Sequence, residues 1–198
     1  SFDDNDLYIY GDDNTMSVSN NANSDVFIVK INSNENVVWL QNPNGSGNEV
    51  GIDIVCDGTD LYVTGTYENT LFLSGGNTET SVNGTDTFIA RYDLNGNYVW
   101  SQSISGTNTQ YATAIDESGG QLFVCGATYS NITFIGSPDI TDSSIGFKDY
   151  WVAGFSKTDG QVNWAKLSEG PATEEARGIT ADSGSVFITG QHYWMTVD

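Results

Sequence analysis

Basic side chains are scarce in this sequence. Lys and Arg number 6 against 26 Asp and Glu, which gives a formal net charge of −20. A surface of this sign repels phosphate backbones and anionic lipid headgroups. Nucleic acids are therefore poor partner candidates, and the acidic, lysine-poor composition favours a secreted or cell-surface protein over a cytosolic one.

Long apolar runs and helical periodicity are also missing. No run approaches the roughly 20 apolar residues of a membrane-spanning helix, which argues against insertion into a membrane. No segment keeps the 3.6-residue period of an amphipathic helix. The 198 residues are enough for one sizeable domain. Because the sequence starts at Ser1 without a basic and then apolar leader, we expect a mature product or a piece of a longer protein.

Cysteine and histidine offer little material for catalysis. Cys56 and Cys125 lack a Cys-x-x-Cys or Cys-His pattern, and His192 is the only histidine. A Ser-His-Asp triad would thus have one candidate base and no nucleophile motif. Two buried thiols are the expected state, since a disulfide requires Cα atoms within about 7 Å. We expect a protein that is not an enzyme, with carboxylates from different parts of the chain as the remaining catalytic alternative.

The sequence does contain one repeat in three copies, at residues 25–65, 86–126 and 149–190. Two residue types mark its period, with intervals of 61 and 64 residues: the tryptophans Trp39, Trp100 and Trp164, and the glycines Gly65, Gly126 and Gly190. Self-similarity at a fixed period is the signature of a repeat architecture.

Each repeat contains four short runs rich in Val, Ile, Tyr, Phe and Trp and bounded by Gly, Asn, Asp and Ser, a pattern typical of β-strands. The first run holds small residues (50–56, 111–116, 176–181), and the second ends on the repeated glycine (7–11, 61–65, 122–126, 186–190). The third run opens with an aspartate, and the fourth carries the tryptophan. Asn-Gly or Asp-Gly between the third and fourth runs predicts a tight hairpin.

The connection between the second and third runs is longer, at residues 66–85 and 127–148. Both copies begin with a tyrosine, Tyr67 or Tyr129, followed by a phenylalanine and a glycine. We expect a small extra hairpin on one face of each unit. The two tyrosines are the best ligand candidates in the sequence, with packing as the alternative.

Four-stranded antiparallel units in series predict an all-β fold, a segment of a β-propeller with about three blades. Residues 1–49 would form a partial blade (strands 2–4), 50–109 and 110–174 two full blades, and 175–198 a partial blade (strands 1–2), all in one propeller domain. Propellers usually have four to eight blades, so we expect part of a six- to eight-bladed ring. Each open end forgoes on the order of 10–15 kcal/mol of apolar burial. The remainder of a longer chain, or neighbouring subunits, should therefore cover the ends.

The phrase DTFIARYDLNGNYVW at 86–100, with the following Gly-rich loop and the LYVTG run at 61–65, resembles the SBBP-type bacterial β-propeller repeat of secreted and cell-surface proteins. The resemblance implies a propeller fold and a scaffold or adhesive role. The third copy differs, with Trp151 where the others have Phe27 and Phe88. Its turn, SKTDGQVNW, is similar over a short stretch to quinoprotein propeller repeats.

The repeated aspartates Asp25, Asp86 and Asp149 could line up as metal ligands, but an aspartate at a strand start more often accepts backbone N–H bonds and fixes a turn. The repeated tryptophans could stack on sugars, but one tryptophan per unit is more typical of packing between units. We expect the structural role for both sets.

No cofactor is expected, and calcium is the most plausible ion for so acidic a chain. Its weak candidate ligands lie in two clusters, Asp3, Asp4 and Asp6 in the first and Asp57 and Asp60 in the second. Neither has the spacing of a helix-flanked calcium loop, and solvated turns are the alternative.

The sequence thus predicts a non-enzymatic extracellular or cell-surface module that mediates protein–protein contact or adhesion. A carbohydrate-binding propeller, with or without calcium, is the first alternative, and a fragment of a quinoprotein or glycan-cleaving enzyme is the second.

Overall fold

The computed structural model describes residues 6–19, 24–144, 147–168 and 170–193. The strands in chain order are β1 (Asp6–Tyr10), β2 (Thr15–Ser19), β3 (Ile28–Ile31), β4 (Val37–Gln41), β5 (Asn44–Gly45), β6 (Val50–Cys56), β7 (Asp60–Phe72), β8 (Thr78–Asp93), β9 (Tyr98–Gly106), β10 (Gln110–Ser118), β11 (Gln121–Thr128), β12 (Asn131–Phe134), β13 (Ile140–Ser143), β14 (Asp149–Ser156), β15 (Val162–Leu167), β16 (Thr173–Ala181) and β17 (Val186–Tyr193). A 3-10 turn covers Ser74–Gly76. The chain is all-β with antiparallel sheets, as predicted. Within the described ranges, no helix is both long and apolar enough to cross a membrane.

Two units of the repeat fold as four consecutive antiparallel strands. In the second unit, β6, β7, β8 and β9 pair in that order, and in the third unit β10, β11, β14 and β15 do the same. The hairpin turns before β9 and β15 hold Gly96 with φ 84° and Gly160 with φ 73°. This left-handed backbone is what the Asn-Gly and Asp-Gly signals supply.

The small residues of the first strand mark a bulge that recurs in all three copies of this strand, β6, β10 and β16. The register against the second strand shifts between Gly51 and Asp53, and between Ala112 and Ala114. It shifts again in the C-terminal hairpin β16–β17, between Ala176 and Gly178. A bulge at this place bends the first strand and increases its twist.

The N-terminal unit, β1 to β5, departs from the predicted arrangement. Run 7–11 is a strand, as expected, but β1 pairs with β2, and β3 pairs with β4. No described residue bridges β1 to β3. The reason is local: Asn14 donates from Nδ2 to the Val37 carbonyl at 2.6 Å and accepts from the Val37 N–H at 3.0 Å. These bonds hold the β1–β2 hairpin beside β4.

The predicted extra hairpins exist, and they connect neighbouring units. In the third unit, β12 pairs with β13 and also with the end of β9, with Ile132 opposite Gly106. In the second unit, β7 continues past a bulge and pairs with β5, with Leu71 opposite Gly45. Each unit therefore adds a strand to the last strand of the unit before it.

Apolar side chains fill the spaces between consecutive sheets. One buried cluster joins the second and third units and includes Trp100, Phe134 and Trp151. A second joins β3 to the sheet of the second unit, and a third joins the third unit to the C-terminal hairpin through Ala176. The sheets thus form a series packed side by side, and the described residues do not form a closed ring.

Candidate functional site at the open strand edges

Two of the repeated tryptophans, Trp39 and Trp100, lie between units. Trp39 Nε1 donates to the Leu94 carbonyl, and Trp100 Nε1 donates to the Lys157 carbonyl, both at 3.1 Å. The turn glycine of the next unit lies against each indole: a Cβ on Gly96 would approach Trp39 to 2.9 Å. These contacts support the packing role expected for this position. Trp164 packs within its own unit against Phe123, with ring centroids 6.2 Å apart.

Two of the repeated aspartates, Asp86 and Asp149, accept hydrogen bonds near the start of the third run of their units. Asp86 is completely buried and accepts from the Val82 N–H at 2.8 Å and the Gly106 N–H at 3.3 Å. Asp149 is also buried and accepts from the Ser168 hydroxyl at 3.4 Å. For Asp86 the contacts are those of the turn-fixing role that the sequence favoured.

Next to these aspartates lies a second repeated position, which the sequence reasoning missed: Glu49, Gln110 and Glu174. Glu49 is buried beside Asp25, and burial together with the nearby carboxyl groups of Asp25 and Glu68 raises its pKa to about 7. Burial, and then Asp149, also raise the pKa of Glu174. The signal was available in the sequence, since the position recurs at the repeat interval.

The two tyrosines proposed as ligand contacts have different environments. Tyr67 is completely buried, its hydroxyl lies 2.7 Å from Ser103 Oγ, and its ring packs on Phe88. Its ring therefore presents no face to a ligand. Tyr129 is 44% exposed and stacks at a tilt on Tyr111, with ring centroids 6.4 Å apart.

The proposed calcium ligands Asp57 and Asp60 are already neutralised by cations. Asp57 forms a salt bridge with Lys157, and Asp60 forms one with Arg91 at 2.9 Å. Burial alone would raise the pKa of Asp57, but hydrogen bonds from Lys157, Asp60 and Thr59 outweigh it and lower that pKa.

In the other proposed cluster, Asp6 accepts a hydrogen bond from the Tyr8 hydroxyl at 3.3 Å. Asp3 and Asp4 lie outside the described residues. Across the part of the chain that the structure describes, no group of three or more His, Cys, Asp or Glu side chains is placed to hold a metal ion.

The cysteines are not bridged, and only one is buried. Cys125 lies in the core, whereas Cys56 is exposed at the end of β6. The expectation of two buried thiols is therefore wrong for Cys56, because the sheet that would cover this face of β6 is not formed by the described residues. His192 is exposed on β17, opposite Glu174 in the β16–β17 hairpin.

A buried cationic cluster was not foreseen from the sequence. Lys148 Nζ donates to the Tyr111 hydroxyl at 2.8 Å and to Glu175 Oε2 at 3.0 Å. It also lies 5.5 Å from the ring centroids of both Tyr111 and Tyr129. Burial would lower the pKa of this lysine, but its two hydrogen-bond partners raise it. The cluster fixes the start of β14 to β16.

At the N-terminal end, one edge of β3 pairs with β4, and no strand of the described ranges pairs with the other edge. Beside this edge lies a cavity of about 480 Å³, lined by residues 24–29, 49–54 and Val63. We call the edge and cavity together the N-terminal groove. Four of its apolar side chains are half exposed: Phe27 52%, Ile54 49%, Val50 43% and Ile52 42%.

At the C-terminal end, β17 pairs with β16, and among the described residues nothing pairs with its outer edge. Phe187 is 57% exposed, Tyr193 43% and Ile188 39%. In the complete units the corresponding second strands, β7 and β11, are paired on both sides. Both ends of the array therefore present backbone hydrogen-bonding groups beside apolar side chains, which is the usual template for strand addition.

Neither the models of known protein families nor the curated proteins give a match to this sequence.

Proposed function

We propose that this chain is a non-enzymatic extracellular interaction module of the β-propeller type, which binds other protein chains by adding their strands to its open edges. Its units would belong to a ring of six to eight blades, completed by further repeats of a longer chain or by neighbouring subunits. The acidic composition and the repeat phrase support a secreted or cell-surface location.

The observation that carries the proposal is a contrast between equivalent positions. Phe88 and Trp151 occupy one position of the repeat and are completely buried, whereas Phe27, at the same position just before β3, is 52% exposed. The strands that hold Phe88 and Trp151 pair with the second strands β7 and β11, whereas no strand of the described ranges pairs with β3 on that side. Fully burying a phenylalanine contributes about 1.5–3 kcal/mol, which a strand added at this edge would gain in part.

A labelled peptide of residues 147–168, the third and fourth strands of the third unit, tests edge pairing directly. We expect it to bind the 198-residue chain in a fluorescence anisotropy titration, because β17 lacks the third strand that β11 has. Ile188→Asp on β17 should weaken binding at least tenfold.

Phe72→Asp is the matched control, since Phe72 is 48% exposed on β7, away from β17. It should leave peptide binding unchanged. Absence of peptide binding, or equal losses in the two variants, would contradict the proposed function.

A second candidate function, carbohydrate binding, is favoured by the exposed ring of Tyr129 beside Lys148. Exposed aromatic faces stack on sugar rings. A glycan array probed with and without chelator tests it. Binding that Tyr129→Ala abolishes would support this function, and dependence on the chelator would add calcium to it. An array without signal would contradict carbohydrate binding and leave the strand-binding proposal unaffected.

A further inference from the structure

The strand β1 has the sequence of a second strand. Residues 7–11 read LYIYG and repeat the runs LYVTG at 61–65 and LFVCG at 122–126. In both complete units this run pairs with the third strand, as β7 does with β8 and β11 with β14. β1 pairs instead with β2, and within the described ranges the edge of β3 that faces away from β4 has no partner strand. The run that would cover this edge therefore lies in the same chain.

We infer that β1 has two pairing positions and acts as a strap over the N-terminal groove. In the open state, which this structure shows, β1 pairs with β2. In the closed state it pairs with β3, and residues 12–24 form the connection that residues 66–85 and 127–148 form in the complete units. The inference rests on the proposed function, because it describes how one of the binding edges is regulated: β1 and a partner strand compete for β3.

The register of the closed state follows from the complete units. There, the glycine that ends the second run lies opposite the aromatic residue of the third run: Gly65 opposite Phe88, and Gly126 opposite Trp151. In the N-terminal unit the two places are held by Gly11 and Phe27. The same register, continued along the strands, places Ile9 opposite Val29.

The contact between glycine and ring makes this register specific. A Cβ on Gly65 would approach Phe88 Cε1 to 2.6 Å, and the equivalent contact in the third unit is 2.7 Å. The ring therefore requires a residue without a side chain opposite it. In the open state Phe27 is 52% exposed, and Gly11 lies at the β3–β4 turn, where a Cβ would come within 2.9 Å of Asn36 Cα. Closure would bring the glycine of β1 to the ring that it matches.

The second strand also carries an aromatic side chain that packs on the tryptophan of its own unit. In both complete units the ring centroids of this pair are 6.2 Å apart: Tyr62 with Trp100, and Phe123 with Trp164. The equivalent residues of the N-terminal unit are Tyr8 and Trp39. In the open state Tyr8 is only partly buried and stacks on Tyr10, with ring centroids 6.5 Å apart. Closure would give Trp39 the aromatic neighbour that the other two tryptophans have.

The groove has space for the side chains of β1. Tyr10 is 64% exposed in the open state. The equivalent residue of the third unit, Cys125, belongs to one buried cluster with Ala176 in the first strand of the next unit. In the closed state Tyr10 would therefore face β6, where half-exposed Val50 and Ile52 line the cavity of about 480 Å³. Closure thus buries apolar surface from β1 and from the groove together.

Polar contacts at the turn between β1 and β2 hold the open state. Asn14 donates to the Val37 carbonyl at 2.6 Å and accepts from the Val37 N–H at 3.0 Å. The Asp13 N–H donates to Asn36 Oδ1 at 2.8 Å. These bonds fix the turn but leave Tyr10 on β1 exposed. The two states exchange polar contacts for apolar burial, so loss of the Asn14 contacts should favour closure.

Disulfide trapping within one chain tests the closed state. Ile9→Cys and Val29→Cys are combined with Cys56→Ser, which removes the exposed thiol, and the chain is oxidised at low concentration. Directly opposite Cα atoms in antiparallel strands are about 4.5–5.5 Å apart, which is within the range that a disulfide spans. In the open state Ile9 lies opposite Met16 instead. We expect a disulfide within the monomeric chain, measured by mass spectrometry as the loss of two alkylatable thiols.

Two other cysteine pairs in the same background are the controls. Ile9→Cys with Met16→Cys should trap the open state. Ile9→Cys with Lys30→Cys should cross-link roughly tenfold less than the pair with Val29→Cys, because adjacent side chains of a strand point to opposite faces. Equal yields from the Val29 and Lys30 pairs would overturn the register. A disulfide that forms only with position 16 would overturn the closed state.

Asn14→Ala tests the exchange between the two states. It removes both hydrogen bonds to Val37, so the disulfide between positions 9 and 29 should form about fivefold faster. Phe27→Ser should act in the opposite direction, because it removes the ring that lies over Gly11 in the closed state. Rates that neither variant changes would contradict an exchange between the two pairings.

The trapped chains separate this inference from the proposed function. A labelled peptide of residues 60–66, the second run of the second unit, should bind the chain locked open by the disulfide between positions 9 and 16. It should bind the chain locked closed between positions 9 and 29 at least roughly tenfold more weakly. Equal binding to both would overturn β1 as the competitor for β3.

The remaining outcomes distinguish the two failures. If the closed disulfide does not form but the peptide of residues 147–168 still binds to β17, the strap is overturned and the proposed function stands. If the closed disulfide forms and neither peptide binds, β1 does pair with β3 and the proposed function falls.

Discussion

One position recurs in three successive copies of the repeat and holds Glu49, Gln110 or Glu174. It lies at the start of the first strand of a unit, near the repeated aspartate of the preceding unit. Two of the three are acids with raised pKa values, and the third is an amide. A neutral side chain of glutamate shape therefore fits this position. The two acids resemble the amide when they are protonated.

Glu49→Gln should remove a pH dependence of stability. Burial raises the pKa of Glu49 to about 7 in the folded chain, whereas an exposed glutamate has a pKa of about 4.5. Above pH 4.5 the unfolded chain binds fewer protons at this group than the folded chain, so stability falls as pH rises from about 4.5 to 7. The loss amounts to at most about 3 kcal/mol. Urea denaturation of the unaltered chain at pH 5 and pH 8 should show the loss, and the variant should lack this part of it.

The reciprocal change, Gln110→Glu, is the matched control. It places an acid at the equivalent position, where Gly106, which donates to Asp86, lies against the Gln110 amide. Asp86 is buried and has a pKa raised by burial to about 6. We expect this variant to lose additional stability between pH 5 and pH 8. Parallel pH profiles for the unaltered chain and Glu49→Gln would show that Glu49 is not the group responsible.

At the scale of the elements, the hairpin turns show how one position serves two purposes. Gly96 and Gly160 have positive φ, and each also lies against the tryptophan of the preceding unit. The equivalent residue of the N-terminal unit is Glu35, with φ 61°. A residue with a Cβ in this conformation is strained by about 1–2 kcal/mol.

Glu35→Gly should therefore stabilise the chain by about 1 kcal/mol, which corresponds to a rise in Tm of about 2–4 °C. Thermal unfolding followed by circular dichroism measures the effect. Gly96→Ala should act in the opposite direction, because the new Cβ would meet Trp39 at 2.9 Å. A fall in Tm for Glu35→Gly would mean that its side chain stabilises the turn.

For the whole molecule, stability depends on the side chains between sheets. Phe134 comes from the hairpin that the third unit adds to β9, and it packs on Trp151 with ring centroids 5.4 Å apart. It is completely buried. One side chain thus joins the extra hairpin, the sheet of its own unit and the sheet of the preceding unit.

Phe134→Ala should destabilise the chain by about 3–5 kcal/mol, because it leaves a cavity between the two sheets. Phe72→Ala, at a phenylalanine that is 48% exposed, should change stability by less than about 0.5 kcal/mol. Urea denaturation midpoints of the two variants test the difference. Similar midpoints would show that the core between the sheets does not determine stability.

The repeated motifs of the sequence determined the strands, the hairpin turns and the order of pairing within the complete units. These features depend on residues close in the chain: an alternating strand pattern, a glycine with positive φ, a small residue at a bulge. The period itself also predicted that Trp39 and Trp100 would pack between units, because one large apolar residue per unit needs an equivalent surface in the next.

Only the tertiary structure decided which copy of a repeated residue is buried. Tyr67 and Tyr129 look alike in the sequence, yet one is in the core and the other is half exposed. Phe27 and Phe88 share a motif, yet one lacks the strand that covers the other. The physical reason is that burial depends on the neighbouring sheet, which a distant part of the chain, or another chain, must supply.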